Sequence, residues 1–328
     1  MMDKYIDRFP EQLLEAVAAG KIFPELKFDH PIKNIVVSGM GGSGIGGAMA
    51  KQFTGDLIDI PFETVNDYTL PAYINENTLL ICSSYSGNTE ETLSAFQHGV
   101  AKKCNIVCIS TGGKLRTLAD SMNIFTATMP GGNPPRTCLG YSFVSLLFIL
   151  FKTGCISNAF IPELEKAAAK LSGSKTLIQS KTKAIAEKIS GTIPLIYSSP
   201  KLSAIGTRIK QQLNENSKMH AFANVIPEMN HNELVAFYSA DQNISVIYLR
   251  DMAEPEQIRK RFIFSKELIQ PKVRFVEEIF ADGNSYIEKI FYLVHIGDWI
   301  SFYLSEIKQV DPIKIDALDW LKQELEQK

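Results

Sequence analysis

Disulfide chemistry has little to work with in this chain. Five cysteines, Cys82, Cys104, Cys108, Cys138 and Cys155, are spread over 328 residues. The number is odd, and Cys82, Cys104 and Cys108 lie in or beside apolar, strand-like runs. Reduced, buried thiols of a cytosolic protein are therefore expected. Cys104 and Cys108 find no second Cys or His pair that would complete four zinc ligands. Charge of one sign is equally scarce: 34 basic residues face 36 acidic ones, a net charge of −2. No strong basic excess is present to drive counterion release from nucleic acid. Long hydrophobic runs are missing too. The longest, Tyr141 to Phe151, is interrupted by Ser142 and Ser145 and falls short of the roughly 20 residues that span a bilayer. The opening Met1-Met2-Asp3-Lys4 lacks the basic start and apolar core of a signal peptide. No membrane and no nucleic-acid partner is expected, and the location is expected to be cytoplasmic.

What is there is ordinary in bulk, 45% hydrophobic and 21% charged, and patterned in detail. After an amphipathic helix over residues 10–20, apolar strand-like runs at 34–38, 61–66, 78–83, 105–109 and 123–127 alternate with helical runs at 44–54, 88–101 and 114–120. This rhythm implies a parallel sheet with helices on both faces. Pro130-Gly131-Gly132-Asn133-Pro134-Pro135 stops regular structure. An apolar helix near 137–152 and helices at 161–171 and 174–190 follow. The alternation then restarts, with strands at 193–198, 244–249 and 273–277 and helices at 201–215, 255–269 and 284–307. Asp311-Pro312 opens a last helix. The fold class read from this is α/β: two subdomains, each a parallel β-sheet flanked by helices in three α/β/α layers. The expected division is an N-terminal helical segment 1–33, a first subdomain 34–152 and a second 153–328. Tyr197-Ser198-Ser199-Pro200 sits where Ser38 and Gly39 sit in the first half, which reads as a degenerate internal repeat.

Two turns carry the chemistry. Ser38-Gly39-Met40-Gly41-Gly42-Ser43-Gly44 follows the first strand, and Ser83-Ser84-Tyr85-Ser86-Gly87-Asn88-Thr89 follows the third. Each leads into a helix, so two helix N-termini with small hydroxyl-bearing residues meet at one end of the sheet. Unpaired N–H groups and dipole ends collected in this way suit a phosphate. Gly39-x-Gly41-x-x-Gly44 also matches a dinucleotide fingerprint, with Asp67 as the acid at the end of the second strand, but a nicotinamide fold leaves the second turn unexplained. Ser84, Ser86 and Thr89 can turn hydroxyls to one anion, with Gly87 allowing close backbone approach. Thr89 also fits a helix cap, and Glu90 and Glu91 are expected to face solvent.

Ser84 to Thr92 resembles the phosphosugar-binding turn of the sugar isomerase (SIS) domain. With Gly39 to Gly47, the chain is similar to the bifunctional phosphoglucose/phosphomannose isomerase family over nearly its whole length. Pro135-Arg136-Thr137-Cys138-Leu139-Gly140-Tyr141, Asn214 to Lys218, Pro227 to Glu233 and Asp311-Pro312…Leu321-Lys322 match further family segments. The resemblance implies reversible isomerisation of glucose 6-phosphate, and of mannose 6-phosphate, with fructose 6-phosphate. It implies ring opening followed by proton transfer through a cis-enediolate, with no metal and no cofactor. It assigns the phosphate to Gly42, Ser43, Ser84, Ser86 and Thr89, and the C1/C2 proton to Glu215. Arg136 would lie beside the enediolate as a charge that is not lost. His231 and Lys322 would open the ring, His231 coming from the neighbouring subunit of a homodimer. Lys314 is a rival for the lysine, because Asp311-Pro312-Ile313-Lys314 stands where the family has Thr-Pro. The family's threonine leaves room at C2 for both epimers, so this departure bears first on the mannose activity.

The alternative is a phosphosugar-binding SIS module that regulates without catalysis. Such a module would carry a helix-turn-helix domain and a basic face. On the residues alone, Glu215 also reads as a solvated helix end and His231 as a cap in a polar turn. His220 and His295 read as packed core residues. The apolar helices near 138–151 and 284–307 are expected to form the dimer surface.

Overall fold

The computed structural model describes residues 1–326. They form two compact units. The first unit comprises Arg8–Gly173 and Gly283–Phe291, and the second Met1–Asp7, Ser174–Asp282 and the chain from Tyr292 onward.

The first unit holds α2 (Phe9–Lys21), β1 (Asn34–Ser38), α3 (Gly41–Thr54), β2 (Phe62–Val65), β3 (Thr78–Ser83), α4 (Glu90–Ala101), β4 (Asn105–Ser110), α5 (Gly113–Ser121), β5 (Thr126–Thr128), α6 (Leu139–Lys152) and α7 (Phe160–Gly173). A short helix, α1 (Met2–Asp7), precedes α2 and belongs to the second unit. The five strands pair in parallel in the order β2-β1-β3-β4-β5. Strands β3 and β4 are buried along their whole length, as a parallel sheet covered on both faces requires. The order reverses between β1 and β3, and the crevice outside the carboxyl ends of those strands is where open α/β sheets bind ligands. Ser38 pairs with Cys82 across this point, so the two sequence turns leave the sheet side by side.

The apolar helix is α6, buried continuously from Leu139 to Leu150. It packs on α2 and α3, with Phe143 meeting Phe291 edge-on at 5.3 Å and Phe148 meeting Phe160 at 5.1 Å. A helix apolar all round is a core helix. The expectation that it forms a dimer surface is therefore corrected: its faces are used within its own chain. The long helix α11 (Tyr286–Ile307) is buried from Ile290 to Ser301, while Phe302 and Tyr303 are half-buried and Ile307 is exposed. α7 packs on α2, so the division between units falls after Gly173.

The second unit contains α8 (Lys175–Ile189), β6 (Ile193–Ser198), α9 (Ser203–Ser217), β7 (Phe222–Val225), β8 (Asp241–Arg250), α10 (Glu256–Ile269), β9 (Val273–Phe280), most of α11, and α12 (Asp316–Glu326). Its four strands are all parallel in the order β7-β6-β8-β9. That is the order of the first sheet without its fifth strand. The edge strand β7 has no counterpart in the sequence reading, because Phe222–Val225 is four residues long and mostly half-exposed. The last helix begins at Asp316, not at Asp311-Pro312; Asp311 instead accepts the Ile313 N–H at 2.8 Å in a turn. Among the described residues, no helix is long and apolar enough to cross a membrane.

Candidate functional site

Two helices begin at the β1/β3 switch point, and no side chain caps either of them. Helix α3 starts at Gly41, in the left-handed region at φ +51°, with Met40 as its N-cap residue and no acid in its first turn. An uncapped N-terminus without a neighbouring carboxylate keeps its N–H groups and dipole for an anion. Ser43 is buried in that first turn. Gly42 lies against the 3-10 turn Pro135–Thr137, where an added Cβ would stand 3.3 Å from the Pro135 carbonyl.

The second turn is organised by Ser84. Its Oγ lies 2.8 Å from Thr89 Oγ1 and accepts the Gly87 N–H at 3.1 Å. Thr89 holds the N-cap position of α4, but its hydroxyl meets Ser84 rather than the helix. The capping role read from the sequence is thus corrected. Ser86 is exposed, and its Oγ accepts the Asn88 N–H at 3.2 Å. Gly87 is at φ +69°, and a Cβ there would fall 1.8 Å from the Gly112 carbonyl, so only glycine fits. Glu90 faces solvent and accepts from the Tyr68 hydroxyl at 3.1 Å, while Glu91 is half-buried. Beneath the turns, the Ser38 and Ser83 hydroxyls are buried at 1% and 0% exposure without a hydrogen-bond partner.

Arg136 is 3% exposed, and its Cα lies 3.8 Å from where a Cβ on Gly42 would stand, so its backbone borders the start of α3. Its turn is held from two sides by residues that the sequence reading passed over. The Tyr85 hydroxyl accepts the Asn133 N–H and donates to the Pro130 carbonyl, each at 3.1 Å. Gln12 of α2 donates to the Thr137 carbonyl at 2.8 Å and accepts the Gly140 N–H at 2.8 Å. Asn66, at the end of β2, donates to the Gly39 carbonyl and steadies the first turn. A glutamine on the apolar face of a helix was the one signal available for Gln12.

Glu215, His231 and Lys322 belong to the second unit. Glu215 is half-buried in the last turn of α9, just before a C-cap at Lys218 with φ +51°. Its neighbours Asn216 and Ser217 are buried and anchored on α11, through Ser301 Oγ at 2.9 Å and the Ser301 carbonyl at 2.7 Å. His231 is exposed at the end of the 3-10 turn Glu228–His231, which buried Met229 pins to the core. Lys322 is exposed on α12, and Lys314 is exposed in the turn before it. His220 is exposed, not packed as expected, whereas His295 is buried and accepts from Trp299 Nε1 at 3.1 Å. All five cysteines are free thiols, and burial pushes Cys108 up to about 12.

The family described as the bacterial phospho-glucose isomerase C-terminal SIS domain matches residues 178–325. A bifunctional phosphoglucose/phosphomannose isomerase of Caldicellulosiruptor bescii is 36% identical over 99% of this chain and 98% of its own length. One of the same description from Aquifex aeolicus is 35% identical over 90% of this chain and 91% of its own. Among solved structures, the C-terminal domain of glucosamine-fructose-6-phosphate aminotransferase from Francisella tularensis superposes with a TM-score of 0.76. It is 17% identical and covers 95% of this chain and 98% of that one, a likeness of fold. The chain therefore belongs to the bifunctional phosphoglucose/phosphomannose isomerase family and is an isomerase.

Proposed function

We propose that this isomerase interconverts glucose 6-phosphate and fructose 6-phosphate, and mannose 6-phosphate with them, through a cis-enediolate and without a metal. The observation that carries the reading is the cradle at the first sheet's switch point: two uncapped helix N-termini, with the Ser84 and Thr89 hydroxyls 2.8 Å apart. That chemistry suits a phosphate monoester. Gly42, Ser43, Ser84, Ser86 and Thr89 take the phosphate in this reading. Glu215 moves the proton between C1 and C2, Arg136 stabilises the enediolate oxygens, and His231 and Lys322 transfer the ring-opening proton.

His231 acts in this reading from the partner subunit of a homodimer. Its exposure on a pinned turn supports that role. Exposed Val235 and Tyr238 in the following 3-10 segment, and Leu318, Trp320, Leu321 and Leu325 on α12, supply apolar surface for such a contact.

The test is NMR of fructose 6-phosphate incubated with the protein in D2O. Glucose 6-phosphate and mannose 6-phosphate carrying deuterium at C2 are the expected products. Glucose 6-phosphate alone would restrict the reading to one epimer. Binding without any product would sink it and favour the regulatory module. Glu215→Gln is expected to abolish turnover while fructose 6-phosphate still binds, as calorimetry would record.

A further inference from the structure

We infer that Gln12 is a positioning residue for Arg136, holding the turn that carries the guanidinium in register with the start of α3. The inference rests on the proposed role of Arg136 at the enediolate. Gln12 is the one polar residue on a face of α2 that otherwise buries Phe9, Pro10, Leu13, Ala16, Val17 and Gly20. It is 8% exposed, and both ends of its amide are engaged with backbone more than a hundred residues away. The amide N–H meets the Thr137 carbonyl, one residue after Arg136, and the amide oxygen meets Gly140 N–H in the first turn of α6.

The fit leaves no play, because a Cβ at Gly140 would stand 2.6 Å from Gln12 Oε1. The next contact of the turn is Gly42 itself, through Pro135. Burying an amide in an otherwise apolar seam needs a reason: a leucine would spare its desolvation but would leave the Thr137 carbonyl and the Gly140 N–H without this partner. Holding a charged group to within a fraction of an ångström of its place beside a developing charge supplies one.

A mere staple between α2 and α6 predicts something different. Gln12→Glu keeps an oxygen for the Gly140 N–H but sets a carboxylate against the Thr137 carbonyl. The tie to α6 through Gly140 keeps its acceptor in that change, whereas the turn that carries Arg136 loses its donor. The introduced carboxyl regains a donor when protonated, so its loss of activity is reversible by acid.

The experiment measures kcat and KM for fructose 6-phosphate, binding of glucitol 6-phosphate (which has no carbonyl to isomerise) and thermal midpoints. The variants are Gln12→Leu, Gln12→Glu, Arg136→Lys and Gln12→Leu combined with Arg136→Lys. Gln12→Leu is expected to lower kcat about ten-fold, with glucitol 6-phosphate affinity held within about two-fold. In the Arg136→Lys background the same change is expected to cost less than about two-fold, because both act on one group. The ratio of Gln12→Glu to wild-type kcat is expected to rise as pH falls. Wild-type kcat in Gln12→Glu, full additivity in the double variant, or parallel loss of kcat and glucitol 6-phosphate affinity would overturn the inference. Should Gln12→Leu fail to fold, the pH ratio of Gln12→Glu decides. An Arg136→Lys chain with unchanged kcat would instead refute the role of Arg136, a distinct outcome.

Discussion

Gly87 is the residue on which the Ser84–Thr89 turn closes, and its surroundings oppose any side chain. Its φ of +69° and the Gly112 carbonyl 1.8 Å from an added Cβ both oppose alanine. Gly87→Ala is expected to destabilise the protein by on the order of 2 kcal/mol, and to weaken phosphosugar binding, as thermal unfolding with and without glucose 6-phosphate would report. His295 provides a pH dependence. Burial, ahead of the smaller and opposed influences of Asp7 and Lys175, pushes it down from 6.5 to about 4. The unfolded chain then binds that proton more tightly than the folded one. Stability from this group is complete above its unfolded value and falls as pH drops from there toward 4. Between about pH 7 and about pH 5 the loss is roughly 2 kcal/mol. His295→Gln keeps an acceptor for Trp299 and does not titrate, so its thermal midpoint is expected to vary less over that range.

At the scale of elements, helix ends and helix pairs do the positioning. The N-termini of α3 and α4 are left open, which is tolerable only where an anion or water completes them. Helix α9, which carries Glu215, is tied to α11 by a buried ion pair. Arg208 and Asp298 are 1% and 5% exposed with Nη2 and Oδ1 3.2 Å apart, and Gln212 donates to the same oxygen at 2.7 Å. Burial raises the Asp298 carboxyl, while Arg208 and Gln212 oppose that shift. Removing one member leaves the other desolvated, so Asp298→Ala is expected to cost on the order of 3 kcal/mol, measurable by denaturant unfolding. The sequence reading placed α9 and its glutamate in the right element. Nothing in the local pattern around Arg208 distinguished it from a solvated arginine, because the partner lies ninety residues away.

Across the whole molecule, two sheets share one strand order but not one chemistry. The first sheet's third-in-sequence strand ends on Ser83 and opens into the Ser84 turn. Its counterpart β8 ends on Arg250, which is 4% exposed and bonded to Glu254 at 2.9 Å and to Glu278. The guanidinium also lies 4.2 Å from the centre of the Phe262 ring. A cation already neutralised by two carboxylates leaves that end of β8 without an anion site. Titration calorimetry with glucose 6-phosphate is accordingly expected to saturate at one molecule per chain. A stoichiometry of two would show that the second sheet binds as well. Light scattering at micromolar concentration is expected to give twice the chain mass, in keeping with the shared-site reading of His231.

By itself the sequence determined the alternation of parallel strands and helices, the repeat, and the two glycine- and serine-rich turns. These are properties of neighbours along the chain: apolar runs bounded by small residues declare a buried strand and the turn that leaves it. Its patterns also carried the family. The short edge strand β7 was not legible, because four half-exposed residues carry no periodicity. Only the tertiary structure decided that α6 is a core helix, since hydrophobicity states that a helix will be covered but not by what. It alone brought Gln12 to the Arg136 turn and Arg250 to Glu278, and turned Thr89 from a cap to a partner of Ser84. Those contacts join residues that local propensity treats as independent, and sheet register and helix packing are what make them meet.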